Sequence, residues 1–278
     1  DVFSTSLGYT DFDNSIFNHS YSDMNGNTTI IARACDLAAR KGIISVVAAG
    51  NEGNSSWHFI SSPADADSAL TVGAVSNTGA VAGFSSYGPS SDGQIKPTVA
   101  SVGQGTAVAN TNNQPEFGNG TSFATPNMAG LITCLWQAFP DFTNMEIIEA
   151  VKKSSSIYTT PNDRIGYGIP NFRKAYDDLF EQRALKNVNT ILGTEWIKVY
   201  PNPFSKNFSV LINPTQTGTT ILNLYDNTGK LYQTKTVNIQ SNQPQLIQFT
   251  NLQPLATGIY ILKYSDGINK KSIRLLGQ

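Results

Sequence analysis

Residues 118–140, GNGTSFATPNMAGLITCLWQAFP, decide how the rest of the chain is read. A Gly-Asn-Gly-Thr approach delivers Ser122 to the start of a long apolar run. In that run Phe123, Met128, Ala129, Leu131, Ile132, Leu135, Trp136 and Phe139 surround most of a helical circumference, which predicts a helix in the middle of the fold. Pro126 is compatible with such a helix if it falls in the first turn or so. Gly-Thr-Ser before a helix is equally good as N-capping chemistry or as the setting of a nucleophile, so the tripeptide alone leaves both uses open.

Working outward, residues 1 to about 185 alternate β-type apolar runs with helical patterns, which predicts an α/β fold with much parallel pairing. Asn27 or Thr28 can cap a helix whose apolar face holds Ile30, Ile31, Ala34, Leu37 and Ala38, with Gly42 ending it. Ile43 to Ala49 and Ala69 to Val75 read as buried central strands. Thr143 followed by Glu146 forms a capping box, and Asn171 can cap a helix reaching about Leu185. From residue 196 the texture changes. IKVY, FSVLI, TTILNLY, KLYQTKTV, QLIQF, GIYILKY and KKSIRLL recur at about ten-residue spacing between Asn, Pro and Gly turns, the pattern of a small β-sandwich. Residues 186–195, KNVNTILGTE, read as a linker between a domain at 1–185 and one at 196–278.

Composition excludes several classes. A formal net charge of −1 with 14% charged residues gives no footprint for nucleic acid. No apolar stretch approaches the roughly 18–20 residues of a membrane helix. Two cysteines, Cys35 and Cys134, are too few for a disulfide scaffold and read as buried free thiols in helices. A soluble monomer is expected.

Chemistry enters with the segment VVAAGNEG at 46–53, where a buried strand ends in Gly50-Asn51. An Asn at the C-terminal end of a central strand can aim its amide NH2 across the crevice where open α/β sheets place ligands. Such a donor is what a developing oxyanion requires, although a strand-ending turn residue is the structural alternative. Gly120 offers a close backbone approach. TSLGY at 5–9 and FSSYGP at 84–89 have no evident structural necessity.

Together these segments resemble the subtilisin-like serine peptidases. Gly-Thr-Ser-Phe-Ala-Thr-Pro at 120–126 is similar to that family's nucleophile motif, and RIGYGIPN at 164–171 to a segment near the end of its catalytic domain. The resemblance implies a largely parallel sheet with helices on both faces, hydrolysis of protein or peptide substrates, Ser122 as nucleophile and Asn51 as oxyanion donor beside the Ser122 N–H. It implies substrate contacts from Ser6, Leu7 and Gly8 as a pairing strand, from Ala48, Ala49 and Gly50 as the facing pocket wall, and from Gly120 and Thr121. No cofactor is needed for that chemistry.

The family's Asp and His have no counterpart here. His19 and His58 sit in loop-like contexts after the Ser-Leu-Gly strand, whereas the family places its His before it. The chain starts at Asp1 inside an apparent strand, so the Asp and His are expected upstream, and these 278 residues alone are not expected to hydrolyse peptides. The alternative is a catalytically inactive fold of this kind that binds proteins or glycans. An α/β-hydrolase is excluded because no His follows Ser122 and Ala124 replaces the second elbow glycine. Asp23, Asn25 and Asn27 could start a Ca²⁺ loop, but no bidentate Glu follows, so a turn is expected there and no metal site is assigned. Ser62-Pro63 lies where such enzymes often carry a cis peptide.

In the tail, VYPNPF at 199–204, LYDNTGKLY at 224–232 and LQPLATGIYILKYSDG at 252–267 resemble the C-terminal sorting domain of the type IX secretion system. The resemblance implies a Gram-negative protein that is secreted or attached to the outer-membrane surface, with the secretion machinery as partner of residues 196–278. A carbohydrate platform of Tyr225, Tyr232, Tyr260 and Tyr264 is the alternative use of that domain.

Overall fold

The computed structural model describes residues 1–252 and 255–278. Its first unit, Asp1–Leu179, is built on a parallel sheet of β1 (Val2–Thr5), β2 (Ile44–Ala48), β3 (Leu70–Val75) and β4 (Val99–Val102), paired in that order. Helix α1 (Ile30–Arg40) supplies the crossover from β1 to β2 that a parallel pair requires. Every residue of β2 and β3 is buried, so both faces of the sheet are covered there. The next elements are the antiparallel pair β5 (Gln104–Ala109) and β6 (Pro115–Asn119), then α2 (Thr121–Ala138) and α3 (Asn144–Lys153). Helix α2 lies across all four parallel strands, while α1 and α3 pack on β2.

The helices differ from their sequence readings in instructive ways. Thr29, one residue beyond the expected caps, closes α1 by accepting the Ala32 N–H. Its buried residues are Ala32 and Ala39, while Ile30 and Leu37 are 82% and 56% exposed. Small residues face β2 because they let the helix approach closely, and the large apolar residues fall on the other side. Helix α2 is likewise one-sided: Ala124, Met128, Ala129, Ile132 and Leu135 are buried, but Leu131 is 47% exposed and Cys134 is exposed rather than buried. Phe3 of the edge strand β1 is also half exposed. Both cysteines are free thiols. The capping box of α3 forms as its four-residue signature requires, Thr143 N–H and hydroxyl meeting Glu146.

The two compact units divide between Leu179 and Phe180, inside α4 (Phe172–Lys186). The segment 186–195, read as a linker, instead forms α5 (Val188–Leu192), with Leu192 buried in a cluster with Ala184, Leu211 and Leu246. Ala184, Val188, Ile191 and Leu192 recur at helical spacing, and this apolar stripe has a partner surface in the second unit. That unit continues with β7 (Ile197–Tyr200), β8 (Phe208–Ile212), β9 (Gly218–Asp226), β10 (Leu231–Ile239), β11 (Gln245–Phe249), β12 (Gly258–Ser265) and β13 (Lys270–Gly277). They form two antiparallel sheets, ordered β10-β9-β12-β13 and β11-β8-β7. Phe204, Phe208, Phe249, Leu222, Leu224 and Leu262 fill the core together with Tyr260 and Tyr264, which are only 3% and 2% exposed. The four-tyrosine platform therefore does not exist: two of its members are core residues. Among the described residues no helix is long and apolar enough to cross a membrane.

Candidate active site

Ser122 is the second residue of α2, half-buried, at the end of the helix whose first-turn N–H groups lack intrahelical acceptors. Thr121 N–H donates to Asn51 Oδ1 (2.9 Å), and Phe123 N–H donates to Gly120 O (3.1 Å). Among the described residues no hydrogen bond engages the Ser122 N–H between them. Pro126 is the sixth residue of α2, not a first-turn residue, so its missing N–H deprives the Ser122 carbonyl of its helical donor. Ser6 Oγ fills that gap by donating to Ser122 O at 3.1 Å. The loop after β1 is thereby tied to the residue it was expected to serve.

Asn51 follows β2 by way of Gly50, whose φ of +111° turns the chain out of the sheet in a conformation that favours glycine. Thr121 Oγ1 donates to Asn51 Oδ1 (3.0 Å) and to Gly50 O (3.2 Å). With Oδ1 held by two donors from Thr121, the amide is oriented and its Nδ2 faces away from them. Asn51 is exposed, so neither it nor Ser122 is sealed under other side chains. Thr121 itself is fully buried and orients Asn51 instead of meeting a substrate with its side chain. Gly120 has φ 161°, extended backbone that any residue adopts, and a Cβ there would make only ordinary contacts.

The two expected walls converge on residues that sequence reasoning missed. A Cβ on Gly8 would strike Ser61 Oγ at 2.3 Å, and a Cβ on Gly50 would meet Ser86 Oγ at 2.8 Å and Ser61 Oγ at 3.2 Å. Ser61 thus stands between the 6–8 loop and the 50–51 turn, beside the cis Ser62-Pro63 bond. Ser86 N–H donates to Gly50 O (3.0 Å) and its hydroxyl accepts the Glu52 N–H (2.9 Å), giving FSSYGP a structural task after all. No local pattern announces Ser61 or Ser86, because their partners are 34 or more residues away for Ser86 with Glu52 and are reached only by folding. Ala48 and Ala49 are buried, Ala49 within a cluster of Val47, Ile60, Ala64 and Ala66, so the wall at that point is backbone. Ser6, Leu7 and Gly8 are exposed, and past them an apolar hollow of about 760 Å³ is lined by Tyr9, Phe12, Ile16, Phe17, Ile30 and Ile31.

The two histidines are engaged elsewhere. His58 stacks on Tyr87 and lies against Phe59, with Nδ1 3.1 Å from Ser56 O, and His19 packs edge-on to Phe12. Among the described residues no hydrogen bond joins either ring to Ser122. Trp57 is tied into its own loop by donating to Ile60 O at 3.3 Å. In the DMNGN segment, Asp23 Oδ2 accepts the Ser20 N–H and Asn25 Oδ1 accepts the N–H groups of Asn27 and Thr28, so these oxygens close turns. Among the described residues no group of three or more His, Cys, Asp or Glu is placed to hold a metal ion.

A parallel sheet crossed by a helix that begins at Thr121-Ser122, with Asn51 beyond the C-terminal end of a central strand, is the architecture of an α/β protein with an open parallel sheet. The chain belongs to the subtilase family, whose model covers residues 1–168. Residues 198–276 fit the model of the secretion system C-terminal sorting domain. Among curated relatives it is 31% identical over 163 residues both to subtilisin NAT of Bacillus subtilis subsp. natto, covering 58% of this chain and 40% of that protein, and to subtilisin of Bacillus pumilus, covering 58% and 56%. The chain thus spans roughly half or less of the length of these relatives. Among solved structures it is similar to the self-cleaved protease domain of PatA, with 25% identity, a TM-score of 0.45, and coverage of 53% of this chain and 54% of that one. The sorting domain marks the protein as secreted or attached to the cell surface.

Proposed function

We propose that residues 1–179 carry the nucleophile-bearing part of a secreted or surface-attached serine endopeptidase. Ser122 Oγ attacks the scissile carbonyl to give an acyl-enzyme, and the Ser122 N–H and Asn51 Nδ2 receive the oxyanion. The general base, a His oriented by an Asp, comes from polypeptide outside residues 1–278. Exposed apolar residues, Phe3 on β1 and Leu131 on α2 among them, support further chain packed against this unit. Ser6 to Gly8 pair with an extended substrate, whose apolar side chain enters the hollow around Phe17 and Ile30. The side chains and backbone supply this chemistry without a cofactor. Residues 196–278 address the protein to its secretion machinery.

The observation that supports this reading is the pair of bonds from Thr121, the residue before Ser122, to Asn51 Oδ1, which orients the Asn51 amide. The test is casein hydrolysis by the full-length gene product that contains residues 1–278, alongside Ser122→Ala. Turnover abolished by Ser122→Ala is expected; equal turnover in both, or none in either, overturns the reading. The second outcome favours an inactive subtilase fold serving as a protein- or glycan-binding module, the alternative that the local engagement of both histidines keeps in view.

A further inference from the structure

Charge is divided unevenly along the chain. Residues 1–179 hold nine Lys and Arg against sixteen Asp and Glu, whereas residues 180–278 hold ten against four. Within 196–278 the carboxylates are Asp226 and Asp266, and each is folded back on its own turn. Asp226 Oδ1 accepts the N–H groups of Thr228 and Lys230, and Asp266 Oδ1 those of Ile268 and Asn269.

The register of the four-stranded sheet sorts the cations by face. Leu222, Leu224, Leu262, Tyr264 and Leu275 point into the core, so the alternate positions point outward. On that outer face Lys263 stands opposite Ser272 on one side and Asn223 on the other, Arg274 stands opposite Ile261, and Lys270 opposite Ser265. Lys263, Lys270 and Arg274 are exposed, and among the described residues none has a carboxylate partner. Lys271, on the other face, is by contrast bridged to Glu195 at 2.9 Å. Strand geometry separates Lys270 from Arg274 by about 13 Å and puts Lys263 about 8 Å from each. Three like charges gathered without a counter-charge repel one another and weaken the fold slightly, and an anionic partner relieves that repulsion.

We propose that this outer face of β9, β12 and β13 binds an anionic polysaccharide. Cations fixed at two spacings suit carboxylate or phosphate groups repeated along a polymer. Between them, Asn223, Thr234 and Ser272 present amide and hydroxyl groups, and exposed Ile259 and Leu276 offer apolar surface to the C–H faces of sugar rings. Nucleic acid fits less well: Lys263 Nζ lies 5.0 Å from the Tyr225 ring centroid, covering the aromatic ring on which a base would stack.

The experiment titrates the whole 278-residue chain with polygalacturonate at low and moderate salt. The variant Lys263→Ser/Lys270→Ser/Arg274→Ser is compared with Lys41→Ser/Lys153→Ser/Lys206→Ser, which makes the same charge change at exposed sites off this face. Loss of three exposed ion pairs weakens binding about tenfold or more in the first variant. The control stays within about twofold, uncharged dextran does not bind, and added salt weakens the wild-type complex. Equal weakening in both variants overturns the proposal. So does undetectable binding of polygalacturonate to the wild type, or binding of single-stranded DNA as tight as that of polygalacturonate.

Discussion

Replacing Lys96 by Met tests the interior of the first unit. Lys96 is 2% exposed, and its ammonium donates to Ala66 O (2.6 Å) and Ala69 O (3.4 Å) without a carboxylate in ion-pair contact among the described residues. Burial pushes its pKa from 10.5 down to about 8, against the weaker pull of Asp65, Asp67, Asp36 and Asp92. Asp65 is itself buried, with Oδ1 unpartnered among the described residues and its pKa raised by burial, so it is a poor counter-ion. The folded-state pKa lies below the unfolded one. Between those values the unfolded chain therefore binds the proton that the folded chain has lost, and stability rises with pH. A difference of about 2.5 units is worth about 3 kcal/mol, with no discount for solvent because the group is fully buried. Met matches the volume and removes the charge. Urea unfolding at pH 7 and at pH 10.5 should show Lys96→Met more stable relative to wild type at pH 7, with this relative gain shrinking by about 3 kcal/mol at pH 10.5. Taking the difference between the two proteins cancels the other groups that titrate in this window. A difference that stays flat across the window refutes the reasoning.

Other expectations concern the site and the two folds. If Asn51 donates to the oxyanion, Asn51→Ala should lower kcat about 10²- to 10³-fold with little change in KM, the magnitude measured for removal of an oxyanion-hole Asn in subtilisin; steady-state kinetics on the full-length gene product measure it. Gly166 has φ +61°, and a Cβ there would lie 2.0 Å from Pro97 O and 2.4 Å from Thr98 O. Gly166→Ala should therefore cost about 3 kcal/mol or more, read as a lowered midpoint in thermal unfolding. For Asp266, partial burial works to raise the pKa, but hydrogen bonds from the Asn269 backbone and side chain and from the Ile268 N–H outweigh it and hold the group at about 2. The stability it lends is present above the ordinary Asp range and is lost as pH falls through about 2, so Asp266→Asn should flatten the acid limb of the unfolding curve.

The sequence made legible what local patterning controls. Tail strands such as β7, β9 and β12 follow period-two alternation bounded by turn residues, the α3 cap is a four-residue signature, and β2 and β3 are unbroken apolar runs. Ser122 and Asn51 could be nominated because each sits at the end of such an element. What stayed hidden depends on contacts between distant residues. The support of Asn51 by Thr121, the repair of the Pro126 gap by Ser6 and the meeting of Gly8 and Gly50 at Ser61 have no local signal. Burial direction was the other weakness. In α1 Ala32 and Ala39 face the sheet while Ile30 and Leu37 do not, and Tyr260 and Tyr264 lie on the inner face of a strand whose alternation allows either choice.

The central claim is that Ser122 is a nucleophile poised beside a fixed amide donor. Fluorophosphonate treatment of the full-length gene product, followed by peptide mass mapping, tests it most directly. The expected result is one adduct, on the peptide containing Ser122, that disappears in Ser122→Ala and is slowed in Asn51→Ala. Absence of an adduct on Ser122 in the folded wild-type protein contradicts the claim.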